Sequence, residues 1–410
     1  AIIFEHRLYL PSMMLCLMGV ICIRQIIKPH WVSLTLLCVI AVVFSFWTYQ
    51  RNNIWQDRVT LWQDCAKKSP DKARPHYNLA NVLAEAGKIP EAVHHYSETL
   101  RLNANHVKAH NNLGNAFREQ GKIPDALYHY AEAMRIQPDY AEAYLNYGNA
   151  LLKQGRIGEA FQYFTKVLQL DSEILEAHNN VGLILAEQGD MEGAIRHYRE
   201  ALRIDPQNDK SHNNLGNALV VKGRLKEAIE HYHKALQLNP MAAEVHRNLG
   251  SALLISGELE EAGSHFQRAL TLSPRDPDLL MLVGDWYGLN GDLDQAIDHY
   301  EDALAIHTDY VPVLHRLALV FAERKEYSRA LSLFKKLFEL QPENAGTCYN
   351  IACMYSKLDD AEKSIEWLKR ALEKGYNNWE LIQTDKDLEN IRDSAEYEKL
   401  LEERALAQPQ

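Results

Sequence analysis

The chain has 410 residues, of which 47% are hydrophobic and 24% are charged, proportions typical of proteins with a buried core. Its net charge of −11 is unevenly placed: residues 1–72 carry eight Lys and Arg against four Asp and Glu, a balance of +4, and the remainder carries −15. An acidic body without clustered Lys and Arg disfavours nucleic-acid binding. The six cysteines include no Cys-x-x-Cys pair, so neither a disulfide framework nor a zinc site is indicated.

Two apolar runs near the start predict a membrane segment over residues 1–50. Residues 31–49 carry no charge and as a helix would be about 28 Å long, close to the thickness of one hydrocarbon core. A second apolar helix is expected at about 8–27, where the uncharged run is shorter. Because the chain begins at Ala1 inside an apolar run, it is interpreted as a fragment or a processed product of something longer.

The connector between these runs, residues 24–30, is basic, and short basic loops stay on the cytoplasmic side of a membrane. We therefore expect an integral membrane protein in which the rest of the chain lies on the non-cytoplasmic side, in a periplasm or a lumen. Basic residues beyond the second run favour the opposite orientation. Residues 51–72 are expected to connect the membrane segment to the remainder of the chain, as a half-repeat helix that covers its first face.

From Ala73 a pattern recurs every 34 residues in nine copies, over residues 73–378, and each copy predicts two helices. The first helix has a small residue at the eighth position of the repeat, and in the first eight copies the second helix has an Ala followed four residues later by an aromatic. Small residues let paired helices approach closely, and the aromatic is expected to fill the space between repeats. This period indicates a helix–turn–helix solenoid. Residues 379–410 leave the pattern and predict a C-terminal capping helix and tail.

The small–small–aromatic–Pro pattern at this period resembles the tetratricopeptide repeat. The resemblance implies an all-α fold, a right-handed α-solenoid superhelix, here preceded by one or two transmembrane helices. The Asn-Asn-Leu-Gly-Asn version at residues 111–115 and 213–217 is most similar to the repeats of nucleocytoplasmic O-GlcNAc transferase. There the Asn at the sixth repeat position lines a concave groove and bonds the backbone of extended peptides. The resemblance implies the same role for Asn78, Asn112, Asn146, Asn180, Asn214 and Asn248.

A second series of asparagines, at the ninth repeat position, lies on the same predicted helix face. An amide offers both the donor and the acceptor that an extended peptide backbone needs. Asn is a mediocre helix former, so its recurrence favours peptide binding over the alternative, in which it bonds neighbouring turns of the protein. The sixth-position series breaks at Leu282 and Arg316, so we expect the groove to end near residue 276. The ninth-position members are Asn81, Asn115, Asn149 and Asn217.

Residues 5–12, Glu-His-Arg-Leu-Tyr-Leu-Pro-Ser, followed by apolar spans and repeats, are similar to the C-terminal half of the transmembrane-and-tetratricopeptide (TMTC) family. Those are membrane proteins of the GT-C glycosyltransferase class, associated with protein O-mannosylation. The resemblance implies that Arg7 contacts the phosphate of a polyprenyl-phosphate sugar donor, for which a guanidinium is suited. The alternative is an anchor at the membrane surface. The acidic catalytic loop expected near the start of such a protein is not in this sequence.

Two series of histidines also recur at the repeat period, beginning at His76 and His95. Equivalent positions lie one repeat apart, roughly 10 Å for packed helices, so we expect packing or surface roles and no metal site. No cofactor motif and no catalytic constellation is evident.

These features favour a membrane-anchored tetratricopeptide scaffold that binds extended polypeptide in its groove. The main alternative is the substrate-recognition part of a GT-C-type protein O-glycosyltransferase whose catalytic domain lies upstream, so enzymatic activity stays open. Assembly of other complexes through helix-in-groove contacts is a third possibility.

Overall fold

A computed structural model of the protein describes residues 18–19, 21–23, 25–26, 28 and 30–400. Within residues 30–400 the regular elements are all helical. Two helices come first, α1 (His30–Gln56) and α2 (Arg58–Lys68), and nine helix pairs, α3 to α20, follow at the predicted period. The pairs are Ala73–Glu85 with Ile89–Leu102, Val107–Glu119 with Ile123–Ile136, Ala141–Lys153 with Ile157–Leu170, Leu175–Glu187 with Met191–Ile204, Asp209–Val221 with Leu225–Leu238, Ala243–Ser256 with Leu259–Leu272, Pro277–Leu289 with Leu293–Ile306, Val311–Glu323 with Tyr327–Leu340, and Ala345–Lys357 with Ala361–Glu373.

The chain divides into two compact units, Ala1–Ala177 and His178–Gln410. In each unit the two helices of a repeat pack against each other, and the second helix packs against the first helix of the next repeat. This confirms the all-α, tetratricopeptide-like solenoid organisation. The right-handed superhelix stays a prediction.

The predicted membrane spans are not supported. Among the described residues, no helix combines the length and the apolarity needed to cross a membrane. Helix α1 contains residues 31–49 and continues to Gln56, while most of the run 8–27 lies outside the described residues, as does Arg7. The connecting helix α2 begins after Asp57, whose carboxylate accepts hydrogen bonds from the backbone amides of Val59 and Thr60 at 3.3 and 3.1 Å, a favourable N-cap.

In repeats 2 to 7 an aromatic side chain packs on the glycine at the eighth position of the same repeat. A β-carbon added at Gly114 would lie 2.5 Å from Cε1 of Tyr130, and one at Gly216 would lie 2.6 Å from Cε1 of Tyr232. Both tyrosine rings are buried. The aromatic therefore fills the space between the two helices of its own repeat, where the sequence pattern had suggested a position between repeats.

The turn inside each repeat needs one residue with a left-handed backbone. Repeats 1 to 7 place glycine there, for example Gly87 with φ of 72°. Repeats 8 and 9 place Lys325 and Asp359 there instead, with φ of 63° and 60°. A side chain in this conformation costs about 1 kcal/mol.

The C-terminal cap is a small packed substructure. It consists of α21 (Trp379–Thr384), a 3₁₀ helix at Lys386–Ile391 and a helical stretch that runs to residue 400. Ile382, Leu388 and Ile391 are fully buried, and the Tyr397 hydroxyl donates to the backbone oxygen of Ile382 at 3.0 Å. These contacts cover the apolar surface that the last repeat would otherwise expose.

Candidate peptide-binding face

The sixth- and ninth-position asparagines lie on the first helices of the repeats, three residues apart and hence on one helix face. All ten are partly exposed, neither buried nor fully open: Asn78, Asn81, Asn112, Asn115, Asn146 and Asn149 in the first unit, and Asn180, Asn214, Asn217 and Asn248 in the second. Their placement on a shared helix face agrees with the sequence analysis. Their hydrogen bonds add a role that the sequence pattern did not reveal.

In the first unit, the ninth-position Asn of one repeat accepts hydrogen bonds from two directions. The Tyr96 hydroxyl of its own repeat donates to Asn81 Oδ1 at 2.7 Å, and Asn112 Nδ2 of the next repeat donates to the same oxygen at 3.1 Å. Asn112 also donates to the Tyr77 hydroxyl at 3.3 Å. We call this arrangement the relay: the tyrosine and the ninth-position residue of one repeat, and the sixth-position residue of the next repeat, joined by hydrogen bonds to the ninth-position side chain. It ties neighbouring repeats together.

The second unit repeats the relay with the same geometry. The Tyr232 hydroxyl donates to Asn217 Oδ1 at 2.6 Å, and Asn248 Nδ2 donates to that oxygen at 3.1 Å. Asn248 also donates to Asn213 Oδ1 at 3.0 Å. Amides that satisfy one another across repeats have a structural role, which was the alternative to peptide binding.

The break in the asparagine series is a charged version of the same contact. The Tyr300 hydroxyl donates to Asp285 Oδ1 at 2.7 Å, and Arg316 Nε donates to the two oxygens of Asp285 at 2.7 and 2.9 Å. Asp285 holds the ninth position of repeat 7 and Arg316 the sixth position of repeat 8. The relay therefore continues beyond residue 276, where the sequence pattern appeared to end.

Two sixth-position asparagines have no side-chain hydrogen bond in the relay or elsewhere among the described residues. The side chains of Asn78 and Asn214 form no hydrogen bond with any part of the chain that is described. Repeat 1 has no full repeat before it, and the ninth position of repeat 4 is Leu183, which has no polar atom to offer Asn214. The amides of Asn78 and Asn214 are consequently available to a ligand.

The other asparagines have varied partners. Asn115 Oδ1 accepts from the Tyr130 hydroxyl at 2.7 Å, Asn146 Nδ2 donates to Asn111 Oδ1 at 2.9 Å, and Asn149 Nδ2 donates to Glu176 Oε1 at 2.9 Å. Residues outside the two asparagine series, Asn111 and Glu176, thus also form hydrogen bonds between repeats, which the two series alone did not predict.

Three of the predicted residues line one open cavity in the first unit, of about 470 Å³. Asn81 and Asn115 each use their oxygen within the protein, but their Nδ2 groups have no partner among the residues described. Glu119 adds a carboxylate without an ion pair there, whereas Glu85 is paired with Arg58 at 2.7 Å. The lining residues are Asn81, Ala84, Glu85, Ile89, Tyr96, Asn112, Asn115, Ala116 and Glu119.

The thirteenth repeat position, which Glu85 and Glu119 hold in this cavity, is apolar in repeats 5 to 7 of the second unit. Val221, Ile255 and Leu289 occupy it in three successive repeats and are each more than 60% exposed. A row of exposed apolar side chains at the repeat spacing is unusual on a solvated surface. Repeats 5 to 7 therefore offer different chemistry from repeats 1 and 2 at the same repeat position.

The histidines meet in pairs within repeats, which their separate periods did not reveal. In each pair the Nδ1 atoms are 2.8 to 3.1 Å apart, and in four pairs the first histidine contacts a backbone oxygen through Nε2 at 3.1 to 3.2 Å. A backbone oxygen can only accept a hydrogen bond, so Nε2 of the first histidine carries the proton. Its Nδ1 is then an acceptor, and the second histidine donates to it through its own Nδ1. The pairs are His76–His95, His110–His129, His178–His197, His212–His231 and His246–His265.

Burial lowers the pKa of several paired histidines, which favours their neutral form. Burial, and next to it the neighbouring His110, lowers the pKa of His129 to about 4. Protonation of the first histidine at Nδ1 would place two N–H groups against each other. The contact within each pair is a packing contact between the two helices of a repeat.

Comparison with known proteins supports the repeat assignment. The family model described as "Cilia and flagella-associated protein 70 C-terminal domain" matches residues 56–279, and a tetratricopeptide-repeat model matches residues 345–373. A solved structure titled "Crystal structure of YrrB: a TPR protein with an unusual peptide-binding site" has 25% identity and a TM-score of 0.39, covering 46% of this chain and 96% of that one.

Two curated relatives match over shorter stretches. A chloroplastic protein of Arabidopsis thaliana is 34% identical over 91 residues, which cover 22% of this chain and 27% of the relative. "Protein O-mannosyl-transferase TMTC1" of Homo sapiens is 33% identical over 112 residues, which cover 26% of this chain and 12% of the relative. The matches thus span between 12% and 27% of these relatives. The expected similarity to the TMTC family is confirmed.

Proposed function

We propose that this chain, which belongs to the family of the cilia and flagella-associated protein 70 C-terminal domain, is a scaffold that binds extended polypeptide segments along the asparagine-bearing face of its repeats. The observation that carries the proposal is the open cavity of the first unit, where Asn81, Asn112 and Asn115 come together beside Glu119. Unused amide N–H groups at the cavity are suited to the carbonyl oxygens of a peptide backbone.

The chemistry of the two units defines the peptide. The unpaired carboxylate of Glu119 favours a Lys or Arg side chain of the ligand at the first unit. In the second unit the free amide of Asn214 and the exposed Val221 and Ile255 favour a backbone contact flanked by apolar side chains. An extended peptide advances about 3.3 Å per residue, so equivalent contacts in neighbouring repeats, about 10 Å apart, fall roughly three residues apart in the ligand.

The proposal is tested by peptide-array binding to the full chain. Glu119→Lys should weaken binding of Lys- and Arg-containing peptides by about fivefold or more, because attraction becomes repulsion, and the effect should shrink at high salt. The matched control is Glu362→Lys, at an exposed acid that does not line the cavity. Equal binding by the two variants, or no binding by the wild type, would contradict the proposal.

The role of the free amide is tested separately. Asn214→Ala should weaken binding of extended peptides by about 2- to 10-fold, the range of one hydrogen bond in net terms, without loss of helicity. Asn105→Ala, at an exposed turn residue, is the control and should leave the affinity unchanged. If helical peptides bind in preference to extended ones, helix-in-groove assembly becomes the better description.

A second candidate function is the selection of acceptor proteins for an O-mannosyl-transferase. The similarity to the O-mannosyl-transferases of Homo sapiens and Caenorhabditis elegans supports it, over 26% and 25% of this chain. The test is to incubate membranes that contain the complete gene product with a polyprenyl-phosphate mannose donor and with peptides that the repeats bind. Mannose transfer to those peptides that Glu119→Lys reduces would favour this function. Peptide binding without mannose transfer would support the scaffold function only.

Attachment to a membrane, with the repeats on the non-cytoplasmic side, is part of the proposal and rests on the uncharged run 31–49. Exposed apolar side chains of α1, among them Trp31, Val42 and Trp47, support it. Extraction of the protein from cell membranes with alkaline carbonate would argue against integral attachment. Protection of the repeats from added protease in sealed vesicles would support the orientation.

A further inference from the structure

We propose that His233, Glu261 and His265 form a binding site for Zn²⁺ or a similar divalent transition metal, which links the second helices of repeats 5 and 6. His233 lies on α12 (Leu225–Leu238), and Glu261 and His265 lie one turn apart on α14 (Leu259–Leu272). This site is on different helices from the asparagines and is independent of the proposed function.

The three side chains converge on one point. Glu261 Oε1 is 3.8 Å from His233 Nε2 and 3.9 Å from His265 Nε2, and the possible ligand atoms all lie within 4.8 Å of one another. Ligands of a tetrahedral zinc ion, with bonds of about 2.0 to 2.1 Å, are about 3.3 Å apart. Small rotations of His233 and Glu261, whose side chains are 43% and 47% exposed, would close the difference.

The tautomer of His265 is already the one that a metal requires. His246 Nε2 is 3.2 Å from the backbone oxygen of Pro240, so this nitrogen carries the proton and His246 Nδ1 is an acceptor. His265 Nδ1 lies 2.9 Å from that acceptor and therefore donates to it. The lone pair of a neutral His265 is then on Nε2, the atom that faces Glu261. A ligating histidine that donates its other N–H to a fixed partner is typical of metal sites.

The preceding repeat junction shows what this position does without a second histidine. There Arg199 takes the place of His233 and lies 3.7 Å from Glu227, the equivalent of Glu261, and Arg224 donates to the two oxygens of Glu227 at 2.7 and 2.6 Å. Guanidinium groups thus pair with this carboxylate, and a guanidinium cannot ligate a cation. Two imidazole nitrogens and one carboxylate oxygen match the protein ligands of zinc sites that keep a fourth position for water, and imidazole ligands select this class over Mg²⁺ and Ca²⁺.

The test is isothermal titration of the metal-free full chain with ZnCl₂. We expect one zinc per chain, with binding weakened at least 10-fold in His233→Arg, which copies the Arg199–Glu227 arrangement and so preserves the fold. His94→Arg, the same change at an exposed histidine of another second helix, is the control and should bind as the wild type does. His246→Phe removes the acceptor for His265 and should weaken binding by about 10- to 100-fold.

Zinc bound at this site can be distinguished from zinc bound to the other histidines of the chain. Tetrahedral Co²⁺ absorption that His233→Arg abolishes would support the site. The proposal is overturned if the folded wild type binds no zinc, or if His233→Arg and His94→Arg bind it equally. Several zinc ions per chain that His233→Arg leaves unchanged would also overturn it, since they would reside on the other histidines.

Discussion

Asn217→Ala should destabilise the folded chain by about 2 kcal/mol, although Asn217 is partly exposed. Its oxygen accepts from the Tyr232 hydroxyl at 2.6 Å, and Tyr232 is only 2% exposed. A buried donor left without an acceptor costs about 1–3 kcal/mol. Asn248 loses the same acceptor but keeps its hydrogen bond to Asn213 at 3.0 Å, so it contributes little to the loss of stability.

The relay also predicts how the two residues of one repeat combine. Tyr232→Phe alone removes the donor and should cost about 1 kcal/mol, the net value of one hydrogen bond. Asn217→Ala in that background leaves no hydroxyl unpaired. The double variant should therefore be less destabilised than the sum of the single variants, by about 1 kcal/mol.

The measurement is urea unfolding of the full chain, followed by circular dichroism and by tyrosine fluorescence, because repeat arrays can unfold in more than one step. Asn214→Ala is the matched control, since the described structure shows no hydrogen bond from its side chain, and should change stability by less than about 0.5 kcal/mol. Equal destabilisation by Asn217→Ala and Asn214→Ala would refute the reasoning. Additive effects in the double variant would refute the coupling.

Gly114→Ala should destabilise by about 1–2 kcal/mol in thermal or urea unfolding, because its β-carbon would lie 2.5 Å from a buried tyrosine ring; Gly158→Ala, which meets nothing within 4 Å, should not. Lys325→Gly should stabilise by up to about 1 kcal/mol by relieving a φ of 63°. The lowered pKa of His129, about 4, means that the unfolded chain binds this proton first, so stability present above about pH 6.5 is lost as the pH falls toward 4. The double variant His110→Tyr/His129→Tyr copies Tyr144 and Tyr163, which form a ring contact at the same positions of repeat 3. Its urea midpoint should depend less on pH in that range, and an unchanged slope would contradict the assignment.

The sequence by itself determined the repeat architecture, because a period of 34 residues with small and aromatic positions admits few packed arrangements. It predicted nine helix pairs over residues 73–378, and the described chain has helix pairs at those positions. It also placed the asparagines on the first helices. These features depend on short-range periodicity, which local sequence carries. The membrane segment was a weaker inference, since an apolar run does not by itself establish a span.

Only the tertiary structure decided what the polar side chains touch. The relay joins residues 15 and 31 positions apart, as Tyr232 with Asn217 and Asn248 with Asn217 show, and the histidine pairs join residues 19 apart. The proposed metal site joins His233 to Glu261 of the next repeat. In the sequence, each histidine or asparagine series recurs at the repeat period without indicating which residues of other series its members contact. Packing of one helix against the next brings different series within hydrogen-bond distance, and that geometry is not contained in either period alone.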